Sequence, residues 1–237
     1  MKPSSKDQRS PLPTNGSRCK QQIKTELEQI QARKGPHNMK TLTLFTGLTL
    51  ATALTLSAQS RFVATPGSKV KIDGTSNIHD WTVEGQVISG VMEVKPDELF
   101  KAAAGPVNAT VNVKIPVRSL KSGKDKMDEV MQEHMSMDKY PMIDYSITEL
   151  KVLKGEPGKS VECESKGNLV VSGTTNLITM PVTITKEGDD KMKIVGSINL
   201  KMTSFNIKPP QPALAMGLIK TGDDVKVGIE WLVKERK

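Results

Sequence analysis

Beyond residue 60 the chain places apolar residues at every second position, which is what a strand requires when one face of its sheet is buried and the other is wet. The cleanest run is Val107, Ala109, Val111, Val113, Ile115 and Val117, interleaved with Asn108, Thr110, Asn112, Lys114, Pro116 and Arg118. The pattern recurs in Ile194-Gly196-Ile198-Leu200-Met202 and in Val225-Val227-Ile229-Trp231-Val233, with shorter versions at 70–72, 81–87, 143–147 and 182–184. Turn chemistry separates these runs at 65–67, 154–158, 186–190 and 221–224, where Gly, Pro and Asp cluster. About eight strands with hairpin spacing, and no strand–helix–strand rhythm, predict an antiparallel barrel or sandwich. Closing such a sheet also removes its exposed edges.

One segment breaks the alternation. Between Ser122 and Asp138 the apolar residues Met127, Val130, Met131 and Met135 fall at helical spacing, and Ser122 with Asp125 three residues on resembles a capping box. This predicts a short amphipathic helix across the barrel. Its methionine-rich face suits either a plug at one end or an adaptable surface against a lipid.

The chain has 237 residues and a formal charge of +8, which raises nucleic acid or an anionic membrane as partners only if the charge lies in the folded part. It does not. Residues 1–38 hold eight Lys or Arg against three acids, and Lys40 follows, so only +2 belongs to everything after. From Met39 the sequence reads as a short basic start, an uncharged apolar stretch to Leu56, and small residues Ser57-Ala58-Gln59-Ser60. That is the layout of a cleaved secretory signal, with cleavage after Ala58 or Ser60. The stretch is too threonine-rich for a membrane span, and no second apolar run follows it.

The expected organisation is therefore a disordered leader over 1–38 arising from a start assigned too far upstream, a signal peptide over 39–58, and one barrel domain over 62–237. A cytoplasmic tail ahead of an uncleaved anchor is the alternative. Of the two cysteines, Cys19 lies in the leader and Cys163 in a strand-like run, which leaves Cys163 alone and buried, with no disulfide.

Residues able to carry catalysis are sparse. The body has two histidines, His79 and His134, without metal-ligand spacing, no phosphate-binding glycine loop and no nucleophile elbow. A zinc site built in space from both histidines and an acid, or a His79-Asp80 dyad, are the remaining catalytic readings, and neighbouring strand residues point to opposite faces. Near His79 the apolar phase shifts from even positions (Val70, Ile72) to odd ones (Trp81, Val83), which predicts a bulge or bend at 76–80. Sharing parity with Trp81, His79 is expected to face inward, as a satisfied structural residue or as a polar handle for an amphiphile.

Five segments in order carry a family resemblance: Gly74-x-Ser76-x-x-His79-x-Trp81; Ile115-Pro116-Val117-x-Ser119-Leu120-x-Ser122-Gly123; Lys139-Tyr140-Pro141-x-Ile143; Gly167-x-Leu169-x-Val171-x-Gly173-x-Thr175; and Met202-Thr203-Ser204-Phe205-x-Ile207. Together they resemble the YceI-like family over about residues 68–235. The resemblance implies an extended lipocalin-like antiparallel β-barrel with a helix near its mouth, exported to the periplasm or secreted. It also implies that an isoprenoid or other long-chain lipid lies in a central apolar tunnel. Two departures are the methionines in Glu133-His134-Met135-Ser136-Met137 and the proline pair Pro209-Pro210.

The expected function is a non-enzymatic exported binding protein for an isoprenoid, quinone-like or fatty-acyl amphiphile, the alternative being an envelope protein whose barrel its own side chains fill. Tunnel residues chosen from the alternation and the helix are Trp81, Val113, Ile115, Met131, Met135, Ile143, Tyr145, Ile198 and Met202, with His79 or Tyr140 nearest a polar head. No cofactor, metal, nucleic-acid partner or stable membrane span is expected, and the oligomeric state, homodimer included, stays open.

Overall fold

The computed structural model describes residues 59–211 and 219–236; the leader and signal over 1–58 lie outside the described residues. Twelve strands and two short helices occur among the described residues. Eight of the strands close into an antiparallel barrel: β1 (Ser60–Ala64), β4 (Ser89–Val94), β6 (Ala109–Pro116), β8 (Met142–Glu156), β9 (Ser160–Val171), β10 (Thr174–Lys186), β11 (Lys191–Lys201) and β12 (Thr221–Glu235). Closure comes from β1 against the end of β12, with Phe62 opposite Glu235 and Ala64 opposite Val233.

Strand β12 is long enough to take two partners along one edge. Below, it pairs with β1; above, Val225 to Glu230 pair with Gly74 to Lys69 of β2 (Lys69–Ser76). A turn at Thr65–Ser68 steps the chain from β1 to β2, with Gly67 at φ +97° and Ser68 Oγ donating to the Thr65 carbonyl at 3.0 Å. From β2 the sheet continues through β3 (Trp81–Gly85) to β7 (Leu120–Lys121), a flap beyond the closed barrel. Strand β5 (Gly105–Val107) adds to β8, so the long run from Val107 to Val117 is divided at Asn108 between β5 and β6 and ends in a 3₁₀ turn at Val117–Ser119. Helix α1 (Pro96–Leu99) buries Leu99 beneath the barrel, and α2 (Asp125–His134) follows β7.

Burial along the inward positions is uneven. On β11, Met192 and Ile194 are buried, whereas Ile198 and Leu200 are only half-buried. Their register partners on β12 repeat the step: Val233 and Trp231 are buried, Val227 and Val225 are not. Strand β10 repeats it again, from buried Ile184 and Val182 to half-buried Met180 and Ile178. One end of the barrel is thus a packed core that includes Phe62, Val94, Val152 and Val161, and the other end is hollow.

Several sequence expectations are corrected. The segment at 221–224 is not a turn but the start of β12, with a register irregularity; the Asp223 carboxylate accepts from Thr203 N–H at 2.9 Å and Thr203 Oγ at 2.7 Å, which holds this stretch to a 3₁₀ turn at Met202–Phe205 instead. The turn at 154–158 is narrower, since β8 runs through Glu156. The expected bulge or bend at 76–80 is present as a bend, in the hairpin turn between β2 and β3. The capping box is absent: α2 begins at Asp125 with no side-chain cap, because the Ser122 hydroxyl and N–H both donate, at 2.7 Å, to the buried Asp128 carboxylate. The helix ends at His134, and Ser136 at φ +52° turns the chain away.

Candidate functional site

The hollow end holds a cavity of about 490 Å³, a volume typical of small-molecule sites. Strands β8 to β12 supply its wall through inward residues such as Tyr145, Leu169, Met180, Ile198 and Val227, and the flap adds Ile72, Trp81 and Val83. Helix α2 crosses the open side and turns Met127, Val130, Met131 and His134 into it. Its following residue, Met135, is buried, and the Ser172 hydroxyl donates to the Met135 carbonyl at 2.8 Å, tying the helix end to the β9–β10 turn.

Glycines let the aromatic rings lie flat in this wall. A Cβ on Gly74 would sit 2.1 Å from Cζ2 of Trp81, so the indole covers Gly74 while its Nε1 donates to the Thr75 carbonyl at 3.0 Å. Tyr145 lies over Gly167 in the same way, its hydroxyl sharing a 2.7 Å hydrogen bond with Ser165, a buried polar contact. Burial raises the Tyr145 phenol above its ordinary value, the Ser165 hydrogen bond opposing. Cys163, lower in the packed end, is buried and free, and burial pushes its thiol up to about 11.

Ten of the eleven residues singled out from the sequence line this cavity; Tyr140 does not. Its ring covers Gly173 of the hairpin turn, where a Cβ would come within 2.4 Å of it. His79 lines the cavity at the mouth, yet it is exposed and not inward-facing as expected. It belongs to the β2–β3 turn, where Ser76 closes the loop: Ser76 Oγ donates to the His79 carbonyl at 2.7 Å and accepts from His79 N–H at 3.1 Å. The parity argument fails there because a turn resets the alternation. Leu169, Ile178, Met180 and Leu200 were missed, although the same period-two reading applied to β9 to β11 would have found them. Lys124, Lys126 and Lys201 at the mouth had no signal in the alternation.

Among the described residues no three His, Cys, Asp or Glu side chains gather as a metal site, and no helix is long and apolar enough to cross a membrane. His79 and Asp80 are both exposed, and no hydrogen bond to the His79 imidazole forms among the described residues. The chemistry on offer is apolar containment with a polar rim.

The model of the YceI-like domain matches residues 53–232. The chain belongs to the YceI-like family. No curated protein matches it. Among solved structures, this YceI-like barrel is similar to a polyisoprenoid binding domain from Saccharophagus degradans implicated in plant cell wall breakdown, at 11% identity and TM-score 0.58, covering 75% of this chain and 99% of that one. It is also similar to Burkholderia cenocepacia BcnA, at 17% identity and TM-score 0.54, covering 70% of this chain and 95% of that one. At such identities the likeness is one of fold, and residues in two of the five YceI-like segments have a structural reason. Gly74, Gly167 and Gly173 each make room for an aromatic ring, and Ser76 closes the turn that carries His79.

Proposed function

We propose that this chain is a non-enzymatic binding protein that holds one long-chain amphiphile, of isoprenoid, quinone-like or fatty-acyl type, in the hollow end of its barrel. The observation that carries the reading is the cavity itself: about 490 Å³ bounded almost wholly by aliphatic, methionine and aromatic side chains, beside a packed end that holds the fold without it. An apolar tail entering such a space gains roughly 25 cal/mol for each Å² removed from water. The relative from Saccharophagus degradans is described as a polyisoprenoid binding domain, which agrees with a tail of this kind. A barrel filled by its own side chains is disfavoured by the same cavity.

The residues proposed to meet the tail are Trp81, Val113, Ile115, Met131, Met135, Ile143, Tyr145, Ile198 and Met202, with His79 toward the head. Export to the periplasm or medium, by way of a signal over 39–58, belongs to the same proposal, because it places the barrel beside lipid. Protein expressed from residue 59 onward and extracted with organic solvent is expected to release an amphiphile in mass spectrometry, and the delipidated protein to take one up. Release of none and uptake of none would defeat the reading. N-terminal sequencing of exported protein is expected to find cleavage after Ala58 or Ser60.

A further inference from the structure

The polar groups at the cavity have one sign. Among the described residues, its ionisable lining includes Lys124, Lys126, Lys201, His79 and His134, and no Asp or Glu. The rest of the cavity is apolar apart from a few hydroxyls, so whatever polar end a ligand carries meets these lysines and imidazoles at the mouth. The protein surface around them is not short of acids. Glu129 pairs with Lys126 at 2.7 Å and Asp224 with Lys201 at 2.8 Å, yet neither carboxylate is part of the lining.

Three of the five side chains have polar atoms left without a partner among the described residues. Lys124 forms no ion pair among the described residues, and as the residue ahead of α2 it makes no side-chain cap. His134 points Nδ1 at the Val130 carbonyl, 2.9 Å away. A carbonyl only accepts, so Nδ1 carries the hydrogen of that bond, and Nε2 is left over. The His79 imidazole has no hydrogen bond among the described residues. In the neutral His134 imidazole Nε2 is then an acceptor, so of the groups that line the cavity on this helix and just ahead of it, Lys124 is the one that offers an unpaired positive charge among the described residues.

Resting on the reading that the barrel holds an amphiphile, we infer that its ligand is anionic: a single apolar chain ending in a carboxylate or a phosphate, whose head sits at the lysine-lined mouth beside Lys124. A neutral head, such as an alcohol or a quinone, would enter the same cavity but leave the Lys124 ammonium without a charged acceptor. Desolvating a charged head is costly anywhere, and a rim of cations without interposed acids is what offsets it.

The test compares three probes of one tail length, palmitate, hexadecyl phosphate and cetyl alcohol, titrated by calorimetry into the delipidated protein. Palmitate and hexadecyl phosphate are expected to bind at least about tenfold tighter than the alcohol, with the margin shrinking as salt is raised. Which of the two anions binds tighter separates a carboxylate site from a phosphate site. Lys124→Gln, an exposed substitution, is expected to weaken both anions severalfold while leaving the alcohol and the melting temperature unchanged. Equal affinity for all three probes, or a Lys124→Gln protein with an undiminished preference, overturns the inference while the lipid-binding reading stands. Binding of none overturns both.

Discussion

At the scale of single residues, the cavity wall depends on side chains that are missing. A methyl group on Gly74 would come within 2.1, 2.5 and 2.6 Å of three indole carbons of Trp81, a ring also held by its hydrogen bond to Thr75. Gly74→Ala is expected to cost roughly 1–3 kcal/mol through this overpacking, read as a lower midpoint in denaturant. Gly228→Ala, where an added Cβ meets nothing within 4 Å, is expected to stay within about 0.5 kcal/mol of wild type. Cys163 gives a second reading of the packed end. With its thiol raised to about 11 by burial, it holds almost no thiolate near neutral pH, and the thiolate is the nucleophile. Native protein is expected to resist a thiol reagent that labels it fully once unfolded; labelling of the native state would place this core in exchange with solvent. At this scale the sequence was informative about which residues alternate and silent about why glycines interrupt them. The ring that covers Gly74 comes from the next strand, and the one over Gly173 comes from the segment after the helix.

Among the elements, α2 shows how a correct period can come with wrong ends. The spacing of Met127, Val130 and Met131 identified the helix, since those residues do face the cavity. Its start was misread because Ser122 is used elsewhere: its hydroxyl and N–H, with Lys121 at 3.4 Å, converge on Asp128 one turn inside the helix. Burial pushes the Asp128 carboxyl up, but these hydrogen bonds and the lysine outweigh it and hold the group below its ordinary 3.8. Because the folded value is lowered, the stabilisation is complete above the ordinary value and is lost as pH falls through the lowered one. Asp73, held down by Thr82, and Asp223, held down by Thr203, shift the same way, though both are open to solvent. Stability is therefore expected to begin falling below about pH 4, where these groups take up protons near the ordinary 3.8 in the unfolded chain but not yet in the folded one. In Asp128→Asn part of that slope should vanish, with a loss of about 1–2 kcal/mol at neutral pH. Denaturant midpoints across this range check both, and an unchanged acid slope would mean that Asp128 does not anchor the helix.

For the whole molecule, the alternation predicted one-sided strands and left two things open: which edges meet, and whether the enclosed space is filled. Closure depends on β12 being long enough to serve β1 and β2 on one edge, a register fact that no single strand carries. Hollowness was illegible for a plainer reason, since Ile194 and Ile198 are the same residue type on the same face of β11, one buried and the other not. What differs is what stands opposite. Ile194 meets Trp231, which fills the packed end, whereas Ile198 meets Val227, which leaves space. This division predicts that stability and uptake can be altered separately. Leu150→Ala, in the packed end, is expected to cost about 2–4 kcal/mol and leave lipid uptake intact. Ile198→Phe combined with Val227→Phe, in the hollow end, should do the reverse, abolishing uptake while the melting temperature of the delipidated protein holds or rises. Ligand at a hundredfold its dissociation constant should stabilise wild type by about 2.7 kcal/mol and this filled variant not at all. If filling the hollow end unfolds the barrel, or if Leu150→Ala abolishes uptake in protein that is still folded, the two ends are not independent. The cavity would then be part of the core and not a site set above it.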